Sequence, residues 1–343
     1  MKDKLQQLTD KKQKLNKLKP LGSELAQNLE EWLKVELTYS SNAIEGNTLS
    51  RLETAEVIER GVSAVISGKS LKDQLEAVNH AKAVEFVSDL AIRRKSHQYI
   101  TQEDILAIHK IILSSINDLA AGRYRVTEVF MKGSDVEFPL PSMIAPLMKQ
   151  FVKWLKEQQG SHPVRVAADA HFKFVTIHPF IDGNGRTGRL LMNLILMING
   201  YPLAIIKNED RTSYLSTFDA ARKEHNMEPF YTIVEQAVER SLDIYISVAE
   251  GKKPALAEFS STGESSVLEK LLKIGELAKQ TGETIHTLRY WTKMGLLDVS
   301  QYSVGGYQLY NLSMIERARK IKHMQTVERL TISEIKIKLH SAA

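Results

Sequence analysis

His178-Pro179-Phe180-Ile181-Asp182-Gly183-Asn184-Gly185-Arg186-Thr187-Gly188-Arg189 packs a base, a carboxylate, a flexible backbone and two cations into twelve positions. That inventory belongs to phosphate chemistry. Gly183 and Gly185 permit backbone conformations closed to other residues, so successive N–H groups can point at one anion. The following run, residues 190–198, has a helical pattern, and a helix beginning near Arg186 would add the partial positive charge of its N-terminus. Residues 183–188 also spell G-x-G-x-x-G, and residues 203–206 followed by Glu209 could pass for the second strand and ribose-binding acid of a dinucleotide fold. Against this, Pro179 interrupts the approach to the first glycine, and Asp182 would repel a pyrophosphate. The rest of the chain supplies no βαβ series for a parallel sheet. A zinc hydrolase fails on spacing, since His171 lies seven residues before His178 and no His-Glu-x-x-His pair exists. A Walker-type NTPase would need Gly-Lys-Ser/Thr after the glycines.

Outward from this stretch the periodicity is helical. Leu25, Leu29, Trp32, Leu33 and Leu37 share a face behind a candidate N-cap at Ser23. Leu71, Leu75, Val78, Val84, Val87 and Leu90 follow Ser70, while Thr101 precedes Ile105, Ile108, Ile112 and Ile116. Ile144, Leu147, Met148, Phe151 and Leu155 mark another helix. Between residues 122 and 141 the period fails, and residues 125–131 followed by Gly133-Ser134-Asp135 predict a small hairpin. Residues 251–267 read as a linker rich in Lys, Pro, Ser and Gly. The expected division is therefore a helical region over 1–100, a core over 101–250, the linker, and a separate domain over 268–343.

The 343 residues exceed the size at which one core keeps growing, which independently favours two domains. The absence of cysteine excludes disulfides and thiolate zinc sites. No stretch reads as a signal peptide or a membrane span, so the cytoplasm is the expected location. Residues 268–343 hold 12 Lys+Arg against 7 Asp+Glu, and this excess of 5 equals the +5 of the whole chain.

The segment 178–189 resembles the signature of the Fic family, H-x-F-x-[DE]-G-N-G-R-x-x-R, with every specified position matched. Eight such matches at a given start have a chance probability on the order of 10⁻¹⁰. The resemblance implies a mainly α, Fic-type helical bundle with a short β-hairpin flap, and a protein adenylyltransferase that moves AMP from ATP to a protein hydroxyl. His178 would be the general base, which suits an imidazole titrating near neutrality. Asp182 would hold Mg²⁺, a hard cation that prefers carboxylate and phosphate oxygens. Gly183, Asn184 and Gly185 would form an anion hole, with Arg186 and Arg189 clamping the outer phosphates. Phe180 would anchor the loop in the core. The hairpin would hold the target by strand addition, and residues 214–222 would help close the nucleotide pocket.

Upstream, Ser41-Asn42-Ala43-Ile44-Glu45-Gly46 resembles the family's inhibitory motif. By that resemblance Glu45 pairs with Arg189, takes the space of the γ-phosphate and leaves ATP unproductive, with Ser41 four residues away on the same helix face. In some relatives the same glutamate serves AMP removal instead.

The C-terminal residues Ile274-Gly275-Glu276-Leu277-Ala278, Gly282 and 284–288 read as two helices around a tight turn. With Arg289-Tyr290-Trp291 and Gly305-Gly306-Tyr307-Gln308, they resemble the winged helix-turn-helix domain of MerR-type regulators over residues 272–339. Arg289, Tyr290 and Tyr307 are the implied DNA contacts. Gln308 stands where that family has an arginine, and the usual dimerisation helix is not expected before Ala343, so a protein-contact role stays open beside DNA binding. The expected partners are a target protein bearing a Tyr, Thr or Ser hydroxyl, DNA and a second copy of the chain, with no membrane. An alternative function is a DNA-binding regulator whose Fic portion senses nucleotide.

Overall fold

The computed structural model describes residues 3–18, 22–61, 66–130, 136–252, 272–302, 308–326 and 328–340. The chain divides into two compact units, Met1–Thr262 and Gly263–Ala343.

The first unit contains α1 (Lys4–Leu18), α2 (Ser23–Ile44), α3 (Arg51–Arg60), α4 (Leu71–Arg93), α5 (Gln102–Leu113), α6 (Pro141–Glu157), α7 (Pro163–Ile177), α8 (Asn184–Ile198), α9 (Arg211–Lys223) and α10 (Glu228–Ala249). Helix α8 is the axle of the bundle: Leu190, Leu191, Met192, Leu194, Ile195 and Leu196 are all buried. A helix apolar around most of its circumference is stable only when other helices enclose it, and α7, α4, α5 and α2 pack against it. One apolar cluster runs from Leu8 to Val248, so α1, α2 and α4 belong to the same core as α8, while Val57 of α3 packs in a small separate cluster with Leu49 and Ala77.

Helix starts follow side-chain chemistry. Ser70 accepts from the Asp73 N–H, and Thr101 and Asp104 form a reciprocal capping box. At α2 the cap is Gly22 instead of Ser23, which is the first helical residue. Leu25 (46 % exposed) and Leu71 (61 %) lie outside the core because each sits in the first turn, ahead of the stretch that the bundle covers. The isoleucine series stops with α5 at Leu113, since Ser115 adopts a positive φ of 59° and turns the chain before Ile116.

The expected hairpin is not a ladder. Among the described residues between 122 and 140 there is no strand, and its turn, residues 133–135, lies outside them. The Arg125 N–H is given to the Pro179 carbonyl, so this backbone is pinned to the catalytic loop; on the return side Pro139 and Pro141 have no N–H to contribute. Residues 203–206 are likewise no strand. They are buried irregular backbone, and Asn193 of α8 takes the place of a neighbouring strand by bonding both the N–H (2.7 Å) and the carbonyl (3.1 Å) of Ala204.

The second unit contains β1 (Leu272–Lys273), α11 (Ile274–Thr281), α12 (Ile285–Lys293), β2 (Gln301–Tyr302), β3 (Gln308–Tyr310), α13 (Ser313–Thr326) and α14 (Ile332–His340). The antiparallel strands lie in the order β1-β3-β2, with Leu272 opposite Tyr310 and Gln301 opposite Leu309. Gly282 makes the turn between α11 and α12 at φ +73°, and Thr284 caps α12. Leu277, Leu288, Trp291, Tyr310 and Ile321 form a separate core. Among the described residues no helix is long and apolar enough to cross a membrane.

Close approach of α7 and α8 depends on Gly188. A Cβ there would lie 2.6 Å from His171 Nδ1 and 3.1 Å from Val175 Cγ1, both on a packed face of α7. Gly188→Ala is therefore expected to destabilise the unit by about 1–3 kcal/mol, seen as a lower urea midpoint at unchanged slope.

Candidate active site

Helix α7 ends because Pro179 bars the preceding residue from helical geometry. His178 caps it in the left-handed conformation, φ 51° and ψ 59°, a strained choice for a side-chain-bearing residue. Phe180 then plunges into the core and stacks on His109, ring centroids 3.5 Å apart and planes 1° from parallel. Asn184 closes the loop by accepting from the Phe180 N–H (2.9 Å) and donating to its carbonyl (2.8 Å). Its side chain is therefore spent on the loop, and only its backbone can join an anion hole. Gly183, at φ 76°, turns the chain into α8. The N–H groups of Asn184, Gly185 and Arg186 precede the first intrahelical bond, Thr187 N–H to Gly183 O, and are the natural donors to an anion.

Arg125 and His109 hold this loop from outside it. The buried Arg125 donates from Nε to the His178 carbonyl (2.9 Å) and from Nη1 to the Thr127 carbonyl (2.9 Å). His109 Nδ1 accepts the Gly122 N–H (3.0 Å), which leaves Nε2 to donate to the Asp182 carbonyl (3.0 Å). That pair of bonds requires a neutral ring, and burial pushes the His109 pKa down to about 4.

His178 is neutral for the same reason. Burial pushes its pKa down to about 4, helped by the Arg125 and Arg222 charges and opposed by the contact with the Val175 carbonyl and by Glu45. This is lower than the near-neutral value expected of a base. Nδ1 lies 3.3 Å from the Val175 carbonyl, so it carries the proton and Nε2 keeps its lone pair. The Phe138 ring packs 4.0 Å from the imidazole.

The two arginines of α8 are both buried and meet different carboxylates. Arg186 Nη1 lies 3.1 Å from Glu76 of α4, and Nη2 donates to Asp182 Oδ1 at 3.3 Å. Nη1 is engaged by the Glu76 carboxylate without an aligned hydrogen bond, and Nε has no hydrogen-bond partner among the described residues, so one buried donor is unspent. Arg189 is saturated by α2: Nε donates to Ser41 Oγ (3.0 Å), and Nη2 to the Ser41 carbonyl (2.8 Å) and Glu45 Oε1 (2.7 Å). It also donates to the Tyr214 hydroxyl, which passes its own proton toward His171 Nε2 at 2.6 Å. Burial works against the Arg189 charge, but Glu45 and Tyr214 outweigh it and raise its pKa. A Cβ on Gly185 would collide with Glu45 Oε1, so the carboxylate lies directly against the first turn of α8. Gly46, at φ 94°, carries the chain away from Glu45.

Asp182 is half exposed and uses Oδ1 for both the Gly183 N–H (2.6 Å) and Arg186. Among the described residues no three His, Asp or Glu side chains converge as a metal cage. One carboxylate at an anion site suits Mg²⁺, which takes its remaining ligands from phosphates and water.

The structure thus brings Ser41, Glu45, His178, Asp182 and residues 183–189 into one site. Glu76, His109 and His171 belong to it and escaped the sequence reading, while Arg125 and Tyr214, expected only as parts of the hairpin and of the 214–222 segment, contact the loop and Arg189 directly. One signal was available: Gln74, Glu76, Asn79 and His80 of α4 are buried polar residues at positions that a purely apolar stripe would not contain. In the second unit, Arg289 and Tyr290 are exposed on α12, while Gly305, Gly306 and Tyr307 lie outside the described residues.

Residues 99–196 match the Fic/DOC family, and residues 272–342 match the MerR HTH family regulatory proteins. Fic-1 from C. elegans is 32 % identical, with a TM-score of 0.65 over 72 % of each chain. A Fic domain containing signaling protein from Bacteroides thetaiotaomicron is 28 % identical, with a TM-score of 0.64 over 73 % of this chain and 99 % of that one. The chain belongs to the Fic/DOC family and carries a MerR-type helix-turn-helix domain. It is also 39 % identical over 61 % of its length to the protein adenylyltransferase Fic of Nematostella vectensis, and 35 % identical over 72 % to that of Culex quinquefasciatus. In each case it spans about half, 48 %, of the relative's own length.

The buried neutral imidazoles give stability a defined pH dependence. His109 and His178 fall from an ordinary 6.5 to about 4, and His171 to about 3, so the unfolded chain binds protons first as pH drops. Their contribution is complete above about pH 6.5 and is lost as pH falls toward 4 and below. Thermal unfolding is expected to show a transition temperature that declines steadily across that window, and less steeply in a His109→Gln variant.

Proposed function

We propose that the first unit transfers AMP from ATP to a hydroxyl side chain of a target protein and that Glu45 restrains it. One observation carries the reading: a neutral imidazole and two arginines converge on the opening turn of α8, and a carboxylate from α2 lies against that same turn. The names of the curated relatives support the same chemistry.

In this reading the lone pair of His178 Nε2 accepts the proton of the attacking hydroxyl. The new oxygen–phosphorus bond forms at the α-phosphate as its bond to the β-phosphate oxygen breaks, and pyrophosphate leaves. The backbone N–H groups of Asn184, Gly185 and Arg186 take up the charge that develops on the transferred phosphate, while that of Gly183 is already given to Asp182 Oδ1. Arg186, with its Nε unspent, and Arg189 hold the leaving phosphates. Asp182 would hold Mg²⁺, which when bound neutralises phosphate charge. Residues 122–130, with Val126 and Phe130 fully open to solvent, would receive the target chain. Glu45 removes one cation from this set and adds an anion to the place a phosphate needs.

The test is labelling from α-labelled ATP with Mg²⁺, followed by mass spectrometry for an added AMP on the protein itself. Glu45→Gly is expected to raise labelling about tenfold or more, equivalent to at least ~1.4 kcal/mol, and His178→Ala in that background to abolish it. Labelling indifferent to both changes would reject the assignment.

The second unit supports a companion role in nucleic-acid binding, because Arg289 and Tyr290 stand exposed on the second helix of its helix-turn-helix in a region with five more basic than acidic residues. A mobility shift that weakens with salt and is reduced by Arg289→Ala is expected; no shift at low salt would assign this unit to protein contacts instead.

A further inference from the structure

Arg186 is the centre of a charge balance between α4 and the loop that precedes α8. Its guanidinium faces two carboxylates at similar distances, Glu76 at 3.1 Å and Asp182 at 3.3 Å. They differ in surroundings. The Glu76 side chain is 9 % exposed, whereas that of Asp182 is 51 % exposed. Glu76 is also held in place: its Oε2 accepts from Asn47 Nδ2 (2.9 Å), and that amide donates as well to the Asp73 carbonyl (3.0 Å) while its oxygen accepts the Leu49 N–H (3.0 Å). A buried, oriented carboxylate neutralises a buried cation more fully than a mobile one shared with water.

The geometry points to Glu76 as a positioning residue that takes the larger share of the Arg186 charge and limits its contact with Asp182 to the single 3.3 Å bond from Nη2, so that Arg186 keeps a donor for phosphate and Asp182 stays available to the cation that accompanies it. Without Glu76 the buried guanidinium has Asp182 as its remaining counter-charge within ion-pair distance among the described residues. It then pairs fully with Asp182, and both the phosphate clamp and the cation ligand are weakened together. This inference rests on the nucleotide-binding reading of the site given above, and its distinguishing mark is a linkage between nucleotide and Mg²⁺.

Calorimetric titration with ADP, in EDTA and again in excess Mg²⁺, tests it in full-length protein carrying Glu45→Gly. Adding Glu76→Gln is expected to weaken ADP binding in both media and to cut the Mg²⁺-dependent gain in affinity about tenfold, the usual cost of removing an outer partner of a metal ligand. The KM for ATP should rise by a similar factor. Glu76→Asp should recover part of the gain, and Asn47→Ala should lose part of it. If Glu76→Gln does not fold, as judged by circular dichroism, those two variants carry the measurement. A Mg²⁺-dependent gain equal in all variants overturns the inference, because a merely structural role would weaken both titrations alike. If ADP binds with the expected linkage but no variant labels protein, the inference stands and the transferase reading falls; labelling with an unchanged linkage does the reverse.

Discussion

The ion pair between Glu45 and Arg189 is the constraint around which the first unit is organised. It joins residues 144 positions apart, so α2 must be brought to the opening of α8 with its last turn aimed at the loop. Gly185 leaves the space that the carboxylate occupies, and Gly46 allows the chain to turn away at once. Ser41, one turn earlier, donates nothing of charge but contributes two acceptors that hold the guanidinium even if Glu45 withdraws. The pair is also lopsided: the Arg189 side chain is 3 % exposed and that of Glu45 is 37 % exposed. An ion pair with one partner in contact with water is worth far less than a fully buried one, and a ligand at a hundred times its dissociation constant supplies about 2.7 kcal/mol against it. Under the proposed reading this is the condition for a restraint that can be overcome without unfolding the helix that carries it.

A second theme is the use of neutral imidazole near cations. His80, His109, His171 and His178 are all held uncharged by burial, and for His80 the two site arginines add to the effect. A neutral ring can accept on one nitrogen and donate on the other, which is what His109 does between Gly122 and Asp182 and what His178 requires in order to offer Nε2 outward. Charged, each ring would repel the arginines and lose an acceptor. The imidazoles thus add no positive charge to a site whose two arginines on α8 lie at the place where an anion is expected.

Much of this was legible in the chain itself because it depends on local chemistry. Glycines beside an aspartate and two arginines at three-residue spacing can be read as an anion-binding turn from residue types alone. Helix existence followed from periodicity, and the caps at Ser70 and Thr101 from the hydroxyl that precedes each apolar run. The failures were of two kinds. Terminal turns depend on what covers them, so Leu25 and Leu71 read as core and are not. Strand-like stretches at 125–131 and 203–206 have the right residues, but their backbone groups find partners elsewhere, in Pro179 and Asn193, and so form no ladder among the described residues.

The supporting residues were illegible for a different reason. Glu76, His109 and His171 come from three separate segments, and each acquires its role only through a contact across dozens of residues. The amino-acid sequence by itself determined the reactive inventory, the helical class and the left-handed turns, because torsional preference and side-chain chemistry are properties of a residue and its neighbours. Tertiary structure alone decided which carboxylate meets which arginine and which imidazole stays neutral, because charge pairing and desolvation depend on distances that exist only after the helices have packed around α8.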